Sequence, residues 1–199
     1  MSANLAAIGE YTYSTKQNRI ININIRSGIG AGITYLGRMQ KGTHGRFGEI
    51  AHTILFPNGV ECPCGNRGCL ERYASLNVLC NTIKEKKGLE TIEINEIAEF
   101  WTNQDRLVTN EVLTNLEYLS IGINNLISSF DPDEIIINSP LVNKIPELLS
   151  YIKDNLKSHL TKETKLSISC LTDKATVYGG IAVVSSSYLN IPDLKFLNE

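Results

Sequence analysis

Three of the chain's five cysteines fall within eight residues, in the segment Cys62-Pro63-Cys64-Gly65-Asn66-Arg67-Gly68-Cys69. No other feature restricts the fold as strongly, because Gly65 and Gly68 let the backbone curl until the three sulfurs converge on one point. An odd number of cysteines makes no closed disulfide framework, and in a reducing compartment such a cluster is more often a metal site than a set of bridges. A closed structural zinc site is tetrahedral with nitrogen or sulfur ligands, so a fourth donor is expected. His52, ten residues ahead of Cys62, is the best-placed candidate, with His44 as competitor and His159 far along the chain. The alternative is that the three thiols are reactive or merely structural. Cys80 and Cys170 sit in apolar stretches, where a free thiol behaves as a small hydrophobe.

At 199 residues the chain is long enough to bury a sizeable core without help from a metal. Lys+Arg at 19 against Asp+Glu at 21 leaves no broad basic field to attract a phosphate backbone. Any action on DNA therefore requires a segment outside these residues. The apolar runs fall short of the roughly 20 residues that span a bilayer, and Met1-Ser2-Ala3 opens no signal peptide. These features predict a cytoplasmic protein with no membrane contact.

Period-two alternation over Ile20-Ile21-Asn22-Ile23-Asn24-Ile25-Arg26 predicts a half-buried strand. Ser27-Gly28-Ile29-Gly30-Ala31-Gly32 breaks it before a second strand, Ile33 to Leu36, giving a hairpin with a glycine-rich tip. Gly42, Gly45 and Gly48 mark a loop whose backbone can approach a ligand closely. His52 to Phe56 reads as a short strand, and helical periodicity then runs from Glu71 to Lys87 and over Asn95 to Trp101. A long amphipathic helix is predicted from Asp105 to Phe130, ending before Asp131-Pro132. Beyond it the chain alternates strand Glu134 to Asn138, helix Val142 to Leu160, strand Leu166 to Thr172 and helix Ala175 to Leu189. Strands and helices in turn imply an α/β fold, a mixed sheet covered by helices.

Gly45-Arg46-Phe47-Gly48-Glu49-Ile50-Ala51-His52, the segment Cys62 to Glu71, and Tyr73-Ala74-Ser75 together resemble the signature of the ROK family of bacterial sugar kinases and sugar-responsive repressors. The resemblance extends to the Ser27–Gly32 tip and to the opening Ala3–Glu10. It implies an actin-like ATPase or ribonuclease H-like lobe carrying a structural Zn2+ loop. Residues 1–199 would form one C-terminal sugar-binding lobe, with the first lobe and any winged helix-turn-helix outside the chain. It also implies that Glu49, His52 and Glu71 contact sugar hydroxyls, that His52, Cys62, Cys64 and Cys69 hold zinc, and that the partners are a small-molecule sugar and a second copy in a homodimer. Ala51 replaces the family's usual glycine.

Several departures from the family pattern point away from a kinase. Ser2 stands where family kinases place the aspartate that takes the sugar's proton, and a serine hydroxyl cannot accept that proton near neutral pH. The family's glycine-threonine-glycine phosphate tip reads Arg26-Ser27-Gly28 here, leaving Ser27, Gly28 and Gly30 as a nucleotide-phosphate remnant. Asn138-Ser139-Pro140 replaces paired glycines, whereas Gly179-Gly180 keeps the family's small-residue pattern. The resemblance thus implies the sugar-sensing domain of a repressor, most similar to the xylose-responsive type. The alternatives are a ROK hexose or N-acetylhexosamine kinase using ATP and Mg2+, and a zinc-stabilised piece that only self-associates.

Overall fold

The computed structural model describes residues 2–191 and 194–196; Met1, which enters the signal-peptide expectation, lies outside them. The chain folds around a five-stranded mixed sheet in the order β3-β2-β1-β4-β5. Its strands are β1 (Arg19–Ile25), β2 (Ile29–Tyr35), β3 (Arg38–Met39), β4 (Glu134–Asn138) and β5 (Lys165–Ile168). β1 pairs antiparallel with β2 and parallel with β4, and β5 extends the parallel half. This is the topology expected for an actin-like or ribonuclease H-like lobe.

The helices are α1 (Ser2–Tyr13), α2 (Glu71–Ala74), α3 (Leu76–Lys87), α4 (Ile94–Thr102), α5 (Arg106–Phe130), α6 (Pro140–Lys144), α7 (Leu148–Asn155) and α8 (Ala175–Leu189). Among the described residues no helix is long and apolar enough to cross a membrane. Asp105 caps α5 by accepting from the Val108 amide at 3.0 Å, which leaves 25 residues whose apolar stripe, including Val112, Leu116, Leu119 and Ile123, fills the core. That core meets the face of the sheet that carries Ile21, Ile23 and Ile25 of β1 and Ile135 and Ile137 of β4.

The opposite face, against α1, mixes Ile20 and Ile136, which pack on Tyr11, with polar groups that are still buried: Asn22, Glu134, Asn138 and Ser169 are at most 2% exposed. There the Glu10 carboxylate of α1 accepts from Ser14 and Ser169, and Glu134 accepts from Thr15 and Ser167. Burial raises the pKa of Glu10 above the ordinary carboxylate range, and the nearby Glu134 adds to the effect.

Several elements differ from the sequence expectation. Gly30 and Gly32 lie within β2, because the strand resumes at Ile29 and α1 presses on it; a Cβ at Gly32 would meet the Ala3 carbonyl oxygen at 2.1 Å. The tip is therefore only Arg26-Ser27-Gly28. His52–Phe56 is not a strand: Ile50–His52 forms a 3-10 turn and Ile54 makes an isolated bridge to Cys69. The helix from Glu71 restarts at Ser75, whose side chain caps α3. Pro146 lacks the amide a continuous helix needs, so Val142–Leu160 splits into α6, α7 and a 3-10 turn at His159–Thr161. The strand expected to reach Thr172 stops at Ile168, and Thr172 has φ of 51°. Cys80 is half-buried, with its thiol pKa raised by burial, whereas Cys170 is exposed, against expectation.

Candidate functional site

The Cys62–Cys69 segment is a tight hairpin. The Cys62 amide donates to Asn66 O at 2.9 Å and Gly65 N donates back to Cys62 O at 3.0 Å. Gly68 is obligatory where the hairpin closes: its φ is +78°, and a Cβ would lie 1.7 Å from Phe56 O. The loop is seated on the core by aromatic rings, with Phe56 edge-on to Tyr73 and Tyr118 at 4.9 and 5.4 Å between centroids. The Tyr73 hydroxyl accepts from the Val60 amide at 2.8 Å.

These contacts, with the 3-10 turn at Ile50–His52, bring His52, Cys62, Cys64 and Cys69 together so that their ligand atoms all lie within 4.8 Å of one another. Cys62 Sγ is 3.6 Å from His52 Nδ1, and Cys64 Sγ is 3.6 Å from Cys69 Sγ. Metal–sulfur bonds of about 2.3 Å and metal–nitrogen bonds of about 2.0–2.1 Å give tetrahedron edges of roughly 3.5–3.8 Å, and the two 3.6 Å pairs match such edges for one zinc-sized ion. Three thiolates and an imidazole are also the soft, borderline donor set that such an ion takes. Burial and the two neighbouring thiols push the Cys69 pKa up to about 12, while the Asn66 amide lowers that of Cys64. Without a cation three thiolates here repel one another, and a cation reverses that preference. His44 is exposed in the glycine loop and His159 lies in its 3-10 turn; neither belongs to the group.

With Nδ1 turned to the sulfurs, His52 directs Nε2 towards Glu49, whose Oε2 is 3.9 Å away. An ion on Nδ1 would fix Nε2 as an N–H donor, a polarity suited to a hydroxyl oxygen. Glu71 opens α2 and reaches the hairpin tip: its Oε2 accepts from the Ile29 amide at 3.0 Å, and a Cβ on Gly28 would lie 2.6 Å from that oxygen. The segment carrying Glu49 is fastened to the same strand, since the Ala31 amide donates to Gly48 O at 3.3 Å. The Glu71 carboxylate and the segment carrying Glu49 are thus both fastened to the first residues of β2. Sequence reasoning singled out Glu49 and Glu71 but missed the Ile29 amide, a backbone donor with no residue signature.

The other residues at the tip form a separate group. Arg26 pairs with Asp173 at 2.5 Å and donates to Asn138 Oδ1 at 3.2 Å, while Asn138 Nδ2 donates to Thr172 O at 2.9 Å. Side chains therefore fill the space beyond the ends of β1 and β4, where open α/β sheets receive ligands. Beside them a cleft of about 490 Å3 is lined by Arg26, Ser27, Asn77, Lys84 and Pro140 among others. Gly30 is turned towards Ala3 of α1 and takes no part in the tip. Ser2 is exposed at the start of α1.

The model of the ROK family matches residues 1–186. The chain belongs to the ROK family. The xylose repressor of Bacillus spizizenii is 30% identical over 195 residues, covering 95% of the chain and 50% of the repressor. Among solved structures, a ROK-family transcriptional regulator homologous to the Escherichia coli MLC protein superposes with a TM-score of 0.84 at 26% identity, over 96% of this chain and 52% of that one. The ROK hexokinase of Thermus thermophilus gives 0.79 at 25% identity, over 96% and 65%. This ROK chain thus spans about half the length of the repressor it matches, and it is similar to regulators and kinases alike.

Proposed function

We propose that the chain is the sugar-sensing half of a ROK-family transcriptional regulator, with a structural Zn2+ on His52, Cys62, Cys64 and Cys69 and a sugar held by Glu49, His52 and Glu71. The observation that carries this reading is the orientation of His52. One ring nitrogen belongs to the thiol cluster and the other faces a carboxylate, so an ion bound at the first would set the hydrogen-bonding sense of the second. The metal would build the binding site and take no part in any reaction. Xylose is the effector favoured by the likeness to the Bacillus spizizenii repressor. DNA would be contacted only by a domain ahead of these residues, and sugar binding would act through its different affinity for two conformations.

The second reading, a ROK sugar kinase using ATP and Mg2+, is favoured by the likeness to the Thermus thermophilus hexokinase and by the cleft beside the tip. Ser2 in place of a carboxylate base and the Arg26–Asp173 pair across the tip speak for the sensor. A thermal-shift panel of xylose, glucose and N-acetylglucosamine, run beside a coupled ATP-consumption assay, separates the two. The sensor reading expects a sugar-specific rise in Tm without turnover, lost in Glu71→Gln while the metal stays bound. Sugar-dependent ATP consumption would replace it with the kinase reading, and a flat panel would remove sugar binding.

A further inference from the structure

The three thiols of the candidate metal cluster differ in their access to solvent. Cys62 and Cys69 are 7 and 0% exposed, whereas Cys64 is an exposed residue. The shape of the hairpin is the cause. Cys69 stands at its base, where it bridges to Ile54 and its thiol donates to His52 O at 3.7 Å. Cys64 stands at the apex with Gly65, Asn66 and Arg67, all exposed. A Cβ on Gly65 would meet nothing within 4 Å among the described residues, so no other element packs against the apex there. The cluster therefore sets one accessible sulfur beside a buried one. Cys64 Sγ is 3.6 Å from Cys69 Sγ, and a disulfide of about 2.05 Å asks for a closure of roughly 1.5 Å, which the unpacked apex can supply.

Zinc ligation keeps thiols in the thiolate form, which is the nucleophile, and three thiolates around a doubly charged ion leave excess negative charge on the sulfurs. An accessible thiolate with a resolving cysteine next to it is the arrangement that peroxides oxidise. We propose that Cys64 is a site of oxidation by hydroperoxides, with Cys69 as its resolving thiol, and that the disulfide between them empties the metal site. The Cys64 thiolate attacks a peroxide oxygen, the O–O bond breaks and hydroxide leaves, giving a sulfenic acid. The Cys69 thiolate then attacks that sulfur, displaces a second hydroxide and forms the Cys64–Cys69 bond. The two sulfurs give up the electron pair that reduces the peroxide. Only His52 and Cys62 remain as donors, too few for a closed tetrahedral site. His52 Nε2 then loses its fixed donor sense, so oxidation also disables the sugar contact. The proposal rests on the reading of the cluster as a Zn2+ site. Cys170 is exposed too, but partial burial of its thiol and the Glu10 carboxylate nearby raise its pKa and keep it in the less reactive protonated form.

The test uses the 199-residue chain purified without chelator, with its zinc measured first. Hydrogen peroxide is added without reductant, released Zn2+ is followed with a chromogenic chelator against a peroxide-free control, and tryptic peptides are mapped unreduced. Trypsin cuts after Arg67, so a Cys64–Cys69 bond joins two peptides, a Cys62–Cys64 bond lies within one, and fragmentation at Pro63 tells Cys62 from Cys64. The expected result is about one Zn2+ released per Cys64–Cys69 bond, ahead of any oxidation at Cys170, with a lower Tm and full reversal by dithiothreitol and added Zn2+. Zinc retained after Cys170 has been oxidised overturns the proposal, as does release accompanied by a bond between any other pair. Cys80→Ser combined with Cys170→Ser, which leaves only the cluster thiols, is expected to behave as the wild type; loss of the response there would assign the oxidation to those two cysteines. If that variant does not melt cooperatively, the wild-type map decides the matter alone. A chain without zinc at the outset refutes the metal reading itself, whereas a loaded chain that keeps its zinc refutes only the oxidation.

Discussion

Replacing Gly28 with alanine should damage the candidate sugar site while sparing the fold. The new methyl carbon would lie 2.6 Å from Glu71 Oε2, against an ordinary contact of about 3.4–3.5 Å. The carboxylate must retreat by roughly 0.8 Å, which stretches the 3.0 Å bond from the Ile29 amide beyond hydrogen-bonding range. Hydrogen bonds to charged groups contribute about 1.5–3 kcal/mol, and because Glu71 is only half-buried the lower figure applies. A loss of about 1.5 kcal/mol is roughly tenfold in affinity. The atom that gives way is the far end of a flexible side chain, and Gly28 is not among the positive-φ residues. Alanine there also narrows the unfolded ensemble, worth about 0.4–1 kcal/mol of stability. Calorimetric titration with the sugar that the thermal-shift panel identifies should therefore show a Kd about tenfold weaker, with Tm and metal content held. Unchanged affinity would refute the coupling of Glu71 to the tip. A Tm lower by more than about 5 °C would show that the clash falls on the backbone instead.

Two further outcomes concern the thiol cluster and Glu10. Cys64→Ser and Cys69→Ser should each release the metal and lower the Tm, because a ligated ion's binding energy is folding energy, whereas Cys80→Ser should retain it; elemental analysis of protein purified without chelator checks all three, and full metal content in either of the first two would refute the ligand set. Glu10 has its folded-state pKa raised by burial, so the native state holds a proton that the unfolded chain has already released. Stability should accordingly fall as pH rises from the ordinary glutamate range through the raised value. Glu10→Gln should flatten that slope in denaturant titrations, and a slope equal to wild type would assign it to another group.

What the sequence revealed depended on how local the cause was. β1 and β4 announce themselves by isoleucine runs or alternation, α5 by its long amphipathic stripe, and α8 by its place after the last strand in the strand–helix alternation. α1 went unrecognised as a helix because Ala6, Ala7 and Gly9 present no distinct apolar face: it is sandwiched between the mixed side of the sheet and α8, and small residues let it approach both. The same approach explains the misplaced hairpin tip, since Gly30 and Gly32 answer to α1 across the sheet and not to a turn. At the candidate site, the thiols and His52 lie within 18 residues and their convergence could be argued from spacing. The contact of Glu71 with Ile29 spans 42 residues and uses a main-chain amide, so no pattern of residue types foretells it.

β2 fastens Glu71 at Ile29 and the Glu49 segment at Ala31. Two residues of extended chain fix that interval at about 7 Å, whatever the lengths of the loops on either side. Insertions in the segments between these anchors can therefore lengthen the loops without changing the spacing of the two points at which they are fastened to β2. Relatives that take different effectors would then differ in those loops, while the interval on β2 stays the same.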